Sequence, residues 1–570
     1  MATSQAPTPS DEQGRSSRFS SVAPAVFFPS VGIVLLVVVL AIVFPDQVGS
    51  TLESAQANVI SGIGWYYTLA VSGFVIFAIW MGVGRFGDIT LGEDGEKPEF
   101  SLPVWFSMLF AAGMGIGLVF WGAAEPLTFF TDPKPGVDGT EAELANTAMT
   151  QVFLHWGFHA WAIYVVVGLA LAYSIHRKGN PVSIRWALEP ILGDRVRGRI
   201  GDTIDVIAIV GTIAGVATSL GLGVQQISAG LVSLGVVDEA PTSLQVGLII
   251  GITMLATISV VSGVSKGIKW LSNANLILAG VFILAVLFLG PTLFLLRDFV
   301  QNIGNYLANI IPLSFNTSAL SGQAGIEWQS AWTTFYWGWW MSWAPFVGVF
   351  IARISRGRTI REFVAGVLLV PTLVTAIWFT ILGGTAIMRQ MAEGDLLNSE
   401  GGVTSENVLF DLLTGLPAGT ILSGVAIVLI TIFFVTSSDS GSLVVDMLAS
   451  GGDPEPPTWS RVLFSVLEGA VAIALLIAGG LGALQTGAIL TAVPFSVVMI
   501  AMAYATYKAL KAEHREITRL ARRARIREQQ TELTERVTDE LVDNFDDHFA
   551  DSVDERIDKA LQNGDTRPSS

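Results

Sequence analysis

Long apolar runs separated by short polar segments occupy the chain from residue 26 to residue 508. A transmembrane α-helix needs about 20 consecutive apolar residues to cross about 30 Å of hydrocarbon. Twelve runs meet that length, at 26–44, 63–84, 103–124, 148–173, 203–235, 243–264, 273–297, 331–354, 363–387, 417–443, 461–480 and 484–508. The pattern predicts an all-α integral membrane protein with twelve spans, the first of which is retained.

Composition agrees with this fold class and excludes several kinds of chemistry. Charged residues make up 14% of the 570 residues and hydrophobic residues 51%, as in a polytopic membrane protein. The chain has no cysteine, so disulfides, thiolate metal sites and thiol catalysis are excluded. The formal net charge of -16 comes largely from loops and the C-terminal tail, and we expect no nucleic-acid partner.

Basic residues in two connections set the predicted orientation. One connection carries His176, Arg177, Lys178, Arg185, Arg195, Arg197 and Arg199, and the other carries Arg353, Arg356, Arg358 and Arg361. Positively charged short loops stay on the cytoplasmic side of a membrane. An even number of spans then places both termini in the cytoplasm, and we expect a multi-pass protein of the plasma membrane, such as a bacterial inner membrane.

A cluster of tryptophans near the middle of the eighth run is the first functional signal. Trp337, Trp339, Trp340 and Trp343 all lie within 331–354, whereas tryptophan in membrane helices normally lies at the two headgroup levels. The spacing places Trp339, Trp340 and Trp343 on neighbouring strips of one helix surface. Such a surface at mid-membrane predicts a pocket for a cation.

The third run carries Gly113, Gly115 and Gly117 at its midpoint. Each glycine weakens a helix by about 1 kcal/mol relative to alanine, and freed backbone groups in a membrane are tolerated only inside protein or beside a cavity. Close helix packing is the alternative explanation. The depth favours a broken helix that contributes to a solute site, because transporters place such breaks near the midplane.

The fourth run contains Trp156, Trp161 and Tyr164, again near mid-membrane. Faces of Trp and Tyr attract a quaternary ammonium group through cation–π interactions, although core packing explains most single buried aromatics. His155 and His159, four residues apart in the same run, could relay protons or bind metal. A hydrogen-bonded structural role is the simpler interpretation of these histidines.

The tenth run turns polar from Thr436 to Ser442, with Ser437, Ser438 and Asp439 among its residues. Hydroxyl and carbonyl oxygens are hard ligands that suit an alkali cation. A capping or packing role for the hydroxyls is the alternative. Asp439 is a further candidate, to stabilise an unwound helix end or a bound ion, since ionisable residues within a membrane are functional candidates.

The C-terminal tail has a basic segment followed by an acidic one. Arg515, Arg519, Arg522, Arg523, Arg525 and Arg527 recur at helical spacing. Leu541, Phe545, Phe549, Val553 and Ile557 recur every four residues between Asp539 and Asp558, which predicts an amphipathic helix. The arginines are either a positive-inside anchor or a regulatory element that contacts anionic lipids and weakens as salt rises.

If the third run opens one unit of five helices and the eighth run opens another, the two units have inverted topology, as in secondary transporters. With its motifs assembled, the chain resembles the betaine/choline/carnitine transporter family over about 480 residues. The shared motifs are GMGIG with Glu125-Pro126, HWGFHAWAIY, SNAN at 272–275, YWGWWMSWAPFVG and ARISRGRTIREF. The resemblance implies two peripheral helices, two inverted five-helix repeats in the fold of sodium-coupled amino-acid symporters, and a homotrimer.

The resemblance also implies roles for named residues. Trp156, Trp161, Tyr164 and Trp340 would form an aromatic box for a trimethylammonium group, beside Gly113, Met114, Gly115 and Gly117. Trp339, Trp343 and Phe346 would line the path toward the cytoplasm. A sodium ion would be held by backbone oxygens of Ala111, Met114 and Phe433 and by the hydroxyls of Thr436 and Ser437. A second sodium site would draw on Thr212 and Thr218, which are six residues apart in this chain.

Gly117 bears on the substrate. Family members that move choline tend to have aspartate here, so glycine favours a zwitterion such as glycine betaine. Choline, carnitine, ectoine, proline and dimethylsulfoniopropionate remain alternatives. No acid, histidine and nucleophile gather at one depth, so we expect no enzymatic activity.

The predicted function is osmoregulated import of a compatible solute by sodium symport, with no cofactor besides Na⁺ as the coupling ion. The alternatives are a sodium-independent or proton-coupled transporter or antiporter, and an osmosensory channel or receptor. The expected partners are the solute, Na⁺ and membrane lipids. The predicted segments are a tail at 1–25, peripheral helices at 26–100, repeats at 101–300 and 331–508, an extracellular connection at 301–330, and a tail at 509–570.

Overall fold

The computed structural model describes residues 22–113, 115–262 and 265–563. The chain divides into two units, Met1–Tyr507 and Lys508–Ser570. Helices of the first unit begin with α1 Pro24–Val43, α2 Pro45–Val83, α3 Leu102–Gly113, α4 Ile116–Thr131, α5 Glu141–Trp156, α6 Phe158–Ala172, α7 Glu189–Leu192, α8 Arg199–Ser233 and α9 Thr242–Ser262. They continue with α10 Ser265–Leu289, α11 Thr292–Ser314, α12 Gly322–Gln329, α13 Phe335–Ile354, α14 Ile360–Glu393, α15 Val408–Thr414, α16 Gly419–Ala449 and α17 Thr458–Asn563, which extends into the second unit.

The prediction of a multi-pass helical protein is confirmed. Among the described residues, eight helices are long and apolar enough to cross a membrane, or nine if α10 and α11 are counted as one bent span. Twelve spans therefore remain a prediction. The count of nine is three lower than the predicted twelve. The broken third run and α13 are not counted, and α17 is counted once although it contains the last two predicted runs.

α17 contains the last two predicted runs. The chain changes direction between these two runs, at Gly479 and Gly480, whose backbone angles are not helical. Gly480 has φ 59° and ψ -138°, a conformation open essentially to glycine alone. A Cβ at Gly487 would lie 3.3 Å from the Leu475 side chain, although twelve residues of straight helix span about 18 Å. The chain therefore folds back on itself here, as two separate spans require.

The predicted second run, 63–84, agrees with the apolar span Gly62–Val83, but helical structure extends beyond it and differs from the prediction at two further places. The segment before the second run is helical, because α2 begins at Pro45 and continues without interruption to Val83. The seventh run ends at Leu289, where the chain bends by 111° into α11. The predicted connection at 301–330 therefore contains most of α11 and also α12. Of the side chains of α11, Leu295, Asn302 and Tyr306 are buried.

The two connections after α2 and after α13 are tied together. Thr90 and Thr359 form an antiparallel bridge, and Arg356 pairs with Glu96 at 2.6 Å. The backbone N–H of Glu93 and the Arg356 guanidinium lower the pKa of the Glu96 carboxyl. The two connections therefore lie on one side of the protein, as the predicted topology requires.

Packing within the first unit centres on α6, α8 and α13. α13 packs against α6 and α8, α14 packs against α4, and α16 packs against α8. Capping boxes start two of the surrounding helices, at Thr140–Glu143 for α5 and at Thr359–Glu362 for α14. These arrangements bring the third, fourth and eighth predicted runs together.

The second unit, described by itself, is helical from Lys508 to Asn563. Its six tail arginines are exposed. Leu541, Phe545, Phe549, Val553 and Ile557 are also exposed. The predicted amphipathic helix is therefore present as a helix, while the role of its arginines stays a prediction.

We expect replacement of Gly480 by alanine to lower the free energy of unfolding by about 1–3 kcal/mol, because an added Cβ disfavours its backbone conformation. Gly482→Ala is the matched control, since a Cβ there would meet no atom within 4 Å. Denaturation of the purified protein in detergent measures both. Equal stability of the two variants would contradict a chain reversal at Gly480.

Candidate functional site

Two helix breaks bring the predicted site residues together. Gly115 is extended (φ -152°, ψ 180°) between α3 and α4. Gly157 separates α5 from α6 (φ -93°, ψ -136°), although the sequence predicts one continuous fourth span. A Cβ at Gly157 would lie 2.4 Å from the Phe153 carbonyl and 2.8 Å from the Tyr306 hydroxyl. Only glycine fits at this second break.

A cavity lies between the two breaks and α13, with about 450 Å³ of space between atoms that includes open solvent. Its lining combines two glycines, six aromatic residues, two aliphatic residues, a serine and a threonine. The lining residues are Gly115, Gly117, Leu118, Trp156, Ala160, Trp161, Tyr164, Ser219, Trp339, Trp340, Trp343 and Thr375. All four predicted box residues are therefore found at one cavity.

The rings of the box face one another at steep angles. Trp156 and Trp340 have centroids 4.9 Å apart at 72°. Trp161 and Tyr164 are 5.3 Å apart at 73°, and Tyr164 lies 6.4 Å from Trp340 at 73°. Since these rings are not stacked in parallel, they present faces and edges to a common space, the arrangement that lets π faces contact a cation.

The break at Gly157 fixes the box through hydrogen bonds. The last carbonyls of a helix have no partner within it, and α5 ends at Trp156. The Trp340 indole donates to the carbonyl of His155 at 2.9 Å. The Thr375 hydroxyl donates to the carbonyl of Trp156 at 3.1 Å. The break thus supplies the acceptors that tie α13 and α14 to the box.

A buried polar network lies behind the box. The Glu125 carboxylate accepts hydrogen bonds from the Trp156 indole at 2.7 Å and from the Tyr336 hydroxyl at 2.5 Å. Nδ1 of His155 lies 2.7 Å from the other carboxylate oxygen. Glu125 and His155 are both fully buried. His159 bonds to Ser314 at 2.8 Å and stacks on Trp337, so both histidines have hydrogen-bonded roles.

Gly117 is required by the rings around it. A Cβ there would lie 2.5 Å from the Trp339 ring and 3.1 Å from the Trp156 ring. A side chain at this position would therefore displace two tryptophans of the cavity wall. Packing gives Gly117 a reason to be glycine besides the predicted preference for a zwitterion.

The predicted path residues are not separate from the box. Trp339 and Trp343 line the same cavity, and Trp339 stacks on Trp340 with centroids 4.7 Å apart. Phe346 contacts Trp343 edge to face at 5.5 Å and lies outside the cavity lining. Trp337 is buried and stacks on His159, so its role is packing.

The predicted sodium ligands are only partly described. Met114 lies outside the described residues, and the surroundings of Ala111 and Gly113 at the end of α3 are likewise outside the description. α16 is helical throughout Gly419–Ala449, so an unwound end at Asp439 is wrong. The Thr436 hydroxyl donates to the Ile432 carbonyl at 2.9 Å and lies 3.2 Å from the Phe433 carbonyl. Ser437 lies on the next position of the same helix.

The second predicted sodium pair is not brought together. Thr212 and Thr218 lie on α8, where six residues correspond to about 9 Å of rise and to different faces. Thr212 donates to the carbonyl of Ala208 at 2.8 Å. Thr218 donates to the carbonyls of Ala214 and Leu484 at 2.8 Å. The hydroxyl of Thr218 therefore joins α8 to α17, and a shared ion site with Thr212 stays an untested expectation.

Several residues at the site had no predicted role. Ser219 and Thr375 line the cavity, and Phe379 packs on Trp156 at 5.0 Å. Their types are ordinary for apolar runs, so the sequence gives no signal for them. Glu125 differs, because a carboxylate within a membrane-length segment is itself a functional signal.

Comparisons with known proteins agree with this geometry. A family model described as betaine/carnitine/choline family transporter matches residues 25–515. A transporter of Mycobacterium tuberculosis (strain ATCC 25618 / H37Rv) is 52% identical over 495 residues, covering 86% of this chain and 83% of the relative. The glycine betaine transporter OpuD of Bacillus subtilis (strain 168) is 44% identical over 494 residues, covering 86% and 95%.

Another relative is a glycine betaine transporter of Acinetobacter baylyi, 41% identical over 500 residues, with 87% of this chain and 75% of the relative covered. Among solved structures, a mutant manganese transporter of Eremococcus coleocola matches 70% of this chain and 77% of its own, with 12% identity and a TM-score of 0.39. That structural likeness is too weak to inform the fold.

We expect Gly157→Ala to lower the free energy of unfolding by about 1–3 kcal/mol, the usual cost of overpacking a close-packed site. Gly115→Ala is the control at the other break, since its Cβ would lie 3.8 Å from the nearest atom, on Trp343. Detergent denaturation measures stability, and tryptophan fluorescence reports the displaced rings. A larger effect of Gly115→Ala would contradict the assignment of Gly157 as the tighter constraint.

Proposed function

The chain belongs to the betaine/carnitine/choline family of transporters, and from that premise we propose that it imports glycine betaine by sodium symport with alternating access. As a member of that family it is a transporter and not an enzyme. The observation that carries the proposal is the cavity whose wall combines Trp156, Trp161, Tyr164 and Trp340 beside a broken helix. Relatives named glycine betaine transporters, at 44% and 41% identity, support the choice of substrate.

The carboxylate of a zwitterionic substrate also has candidate hydrogen-bond donors at the cavity. Trp339 and Trp343 line the cavity, and their indole N–H groups are buried without a hydrogen-bond partner among the described residues. An indole N–H can only donate, and a carboxylate can only accept. A solute with a cationic head and a carboxylate would use the ring faces and these donors together.

Sodium coupling is the less direct part of the proposal. The hydroxyls of Thr436 and Ser437, with the carbonyl of Phe433, are hard oxygen donors suited to Na⁺. Sodium bound beside the broken third span would favour the substrate-competent state, so each ligand would raise the affinity for the other. We further propose a homotrimer in a plasma membrane with both termini cytoplasmic, activated by osmotic stress through the tail arginines.

Sodium-independent transport is the competing proposal, and the contact of Thr436 is compatible with it. The Thr436 hydroxyl already donates within its own helix, at 2.9 Å to Ile432. This contact would persist if no ion bound there. An ion could bind here as well, because donation of the hydroxyl proton leaves the lone pairs of the oxygen free.

The coupling is tested by uptake of labelled betaine into proteoliposomes with and without an inward sodium gradient. We expect accumulation above equilibrium only with the gradient, because downhill sodium entry supplies the driving force. The control replaces sodium by potassium at equal ionic strength. Undiminished accumulation in potassium would support the sodium-independent alternative instead.

The box is tested by Trp340→Leu. We expect betaine affinity to fall roughly tenfold or more, since one cation–π wall worth about 1–2 kcal/mol is lost. Trp337→Leu is the matched control, because Trp337 lies three residues away in the same helix but outside the cavity lining. Binding is measured by titration of the purified protein. Unchanged affinity in Trp340→Leu would remove Trp340 from the site.

A further inference from the structure

Glu125 is a buried acid that has no lysine or arginine partner among the described residues. It lies on α4 and is fully buried, and its one ion-pair contact is to His155. Trp156, Tyr336 and His155 form hydrogen bonds with its carboxylate. These residues lie on α5 and α13, which also carry rings of the box. The charge on this group therefore bears directly on the box.

The hydrogen-bond pattern around Glu125 fits an ionised carboxylate. Nε2 of His155 lies 3.0 Å from the amide nitrogen of Gln151, and an amide nitrogen can only donate. Nε2 is then the acceptor, so the proton of the neutral imidazole is on Nδ1 and points at Glu125. The Trp156 indole can also only donate. Glu125 thus accepts hydrogen bonds from three sides, as an ionised carboxylate does.

The charges near this carboxylate leave it uncompensated. Lys134 is the basic residue that acts on His155 through space, but its ammonium bonds to Gln329 at 2.9 Å and lies over the Trp328 ring. Burial lowers the pKa of Lys134 to about 8. The other polar neighbours of His155 are Gln151 and Thr333, both uncharged. When Glu125 is ionised, a net negative charge lies behind one wall of the cavity.

We propose that Glu125 makes the aromatic box selective for a cationic head, by placing a fixed negative charge one indole ring behind the cavity and by orienting Trp156 and Tyr336. A bound ammonium group would be the counter-charge that the network lacks. Glu125 does not line the cavity, so it is a positioning and specificity-determining residue.

The mechanism needs no contact between Glu125 and the solute. Coulomb attraction is strong in a site of low dielectric and falls slowly over a few ångströms. The indole of Trp156 is also polarised by donating its N–H to an anion, which makes its π face more negative toward a cation. Both effects act on the charge of the solute and not on its shape.

This inference rests on the proposed function, because it assumes that the cavity binds a cationic head. The experiment compares two ligands of one shape, glycine betaine and 3,3-dimethylbutanoate, in which carbon replaces the nitrogen. Each is titrated against the purified full-length protein by tryptophan fluorescence. The unmodified protein should prefer betaine. Failure to bind betaine at all would overturn the proposed function, and the inference with it, before any variant is made.

Glu125→Gln is the decisive variant. We expect betaine affinity to fall roughly tenfold or more, as removal of a nearby charge in a low-dielectric site implies, while affinity for the neutral-headed analogue stays the same or rises. The control is Glu468→Gln, since Glu468 is another fully buried glutamate that bonds to Ser438 and does not line the cavity. It should keep the preference for betaine.

Two results would overturn the inference. One is an equal loss of affinity for both ligands in Glu125→Gln, which indicates a structural role alone, and the other is an unchanged preference for betaine. If Glu125→Gln does not assemble, Glu125→Asp keeps the charge and moves it back by one methylene. That variant must retain a preference for betaine, and a loss of all preference would contradict a role for the charge.

Discussion

The break in the polypeptide at Gly157 is the constraint on which the site depends. A helix that ended elsewhere would leave the carbonyls of His155 and Trp156 bonded within α5, and Trp340 and Thr375 would lose their acceptors. Backbone groups freed inside a membrane must be satisfied by protein, so the break and the side chains around it require each other. The Tyr306 hydroxyl completes the arrangement by accepting a hydrogen bond from the backbone N–H of Phe158 at 3.1 Å.

The same helices give the site both its shape and its charge. α5, α6 and α13 supply the rings. α4 contributes Gly117, whose missing side chain leaves room for two tryptophans, and Glu125, which anchors Trp156. Aromatic walls alone bind many compact cations, because π faces discriminate poorly among them. The indole N–H groups of Trp339 and Trp343 would bind a carboxylate, and a negative charge behind Trp156 would attract a cation. Together they would orient a solute that has a cation at one end and a carboxylate at the other.

Much of this could be predicted from the sequence, for reasons visible in particular residues. Misplaced tryptophans in the eighth run and the glycines of the third run violate the usual rules for membrane helices, and those violations lie at the cavity. Gly157 could not be predicted in the same way, because a single glycine costs a helix only about 1 kcal/mol and gave no break signal in an apolar run. The bend after Leu289 has a local signal in Gly290-Pro291, which apolarity alone hides.

Other features depend on contacts distant in sequence. The hydrogen bond from Tyr336 to Glu125 joins residues that are 211 positions apart. The hydrophobic periodicity of the sequence gives no indication of this contact. Thr218 was predicted as an ion ligand from its hydroxyl, whereas its contact with Leu484 is set by the fold of α17. Glu125 itself could have been singled out, since a carboxylate in an apolar segment is costly unless it has a role.

The central claim, that the rings hold a cationic head, is tested most directly by saturation-transfer NMR on the purified protein with glycine betaine. Irradiation of the aromatic protons should saturate the N-methyl protons of the solute more strongly than its methylene protons, because the rings enclose the ammonium end. The uncharged-head analogue 3,3-dimethylbutanoate should compete only at higher concentration than unlabelled betaine. Equal transfer to both groups, or stronger transfer to the methylene, would contradict the account.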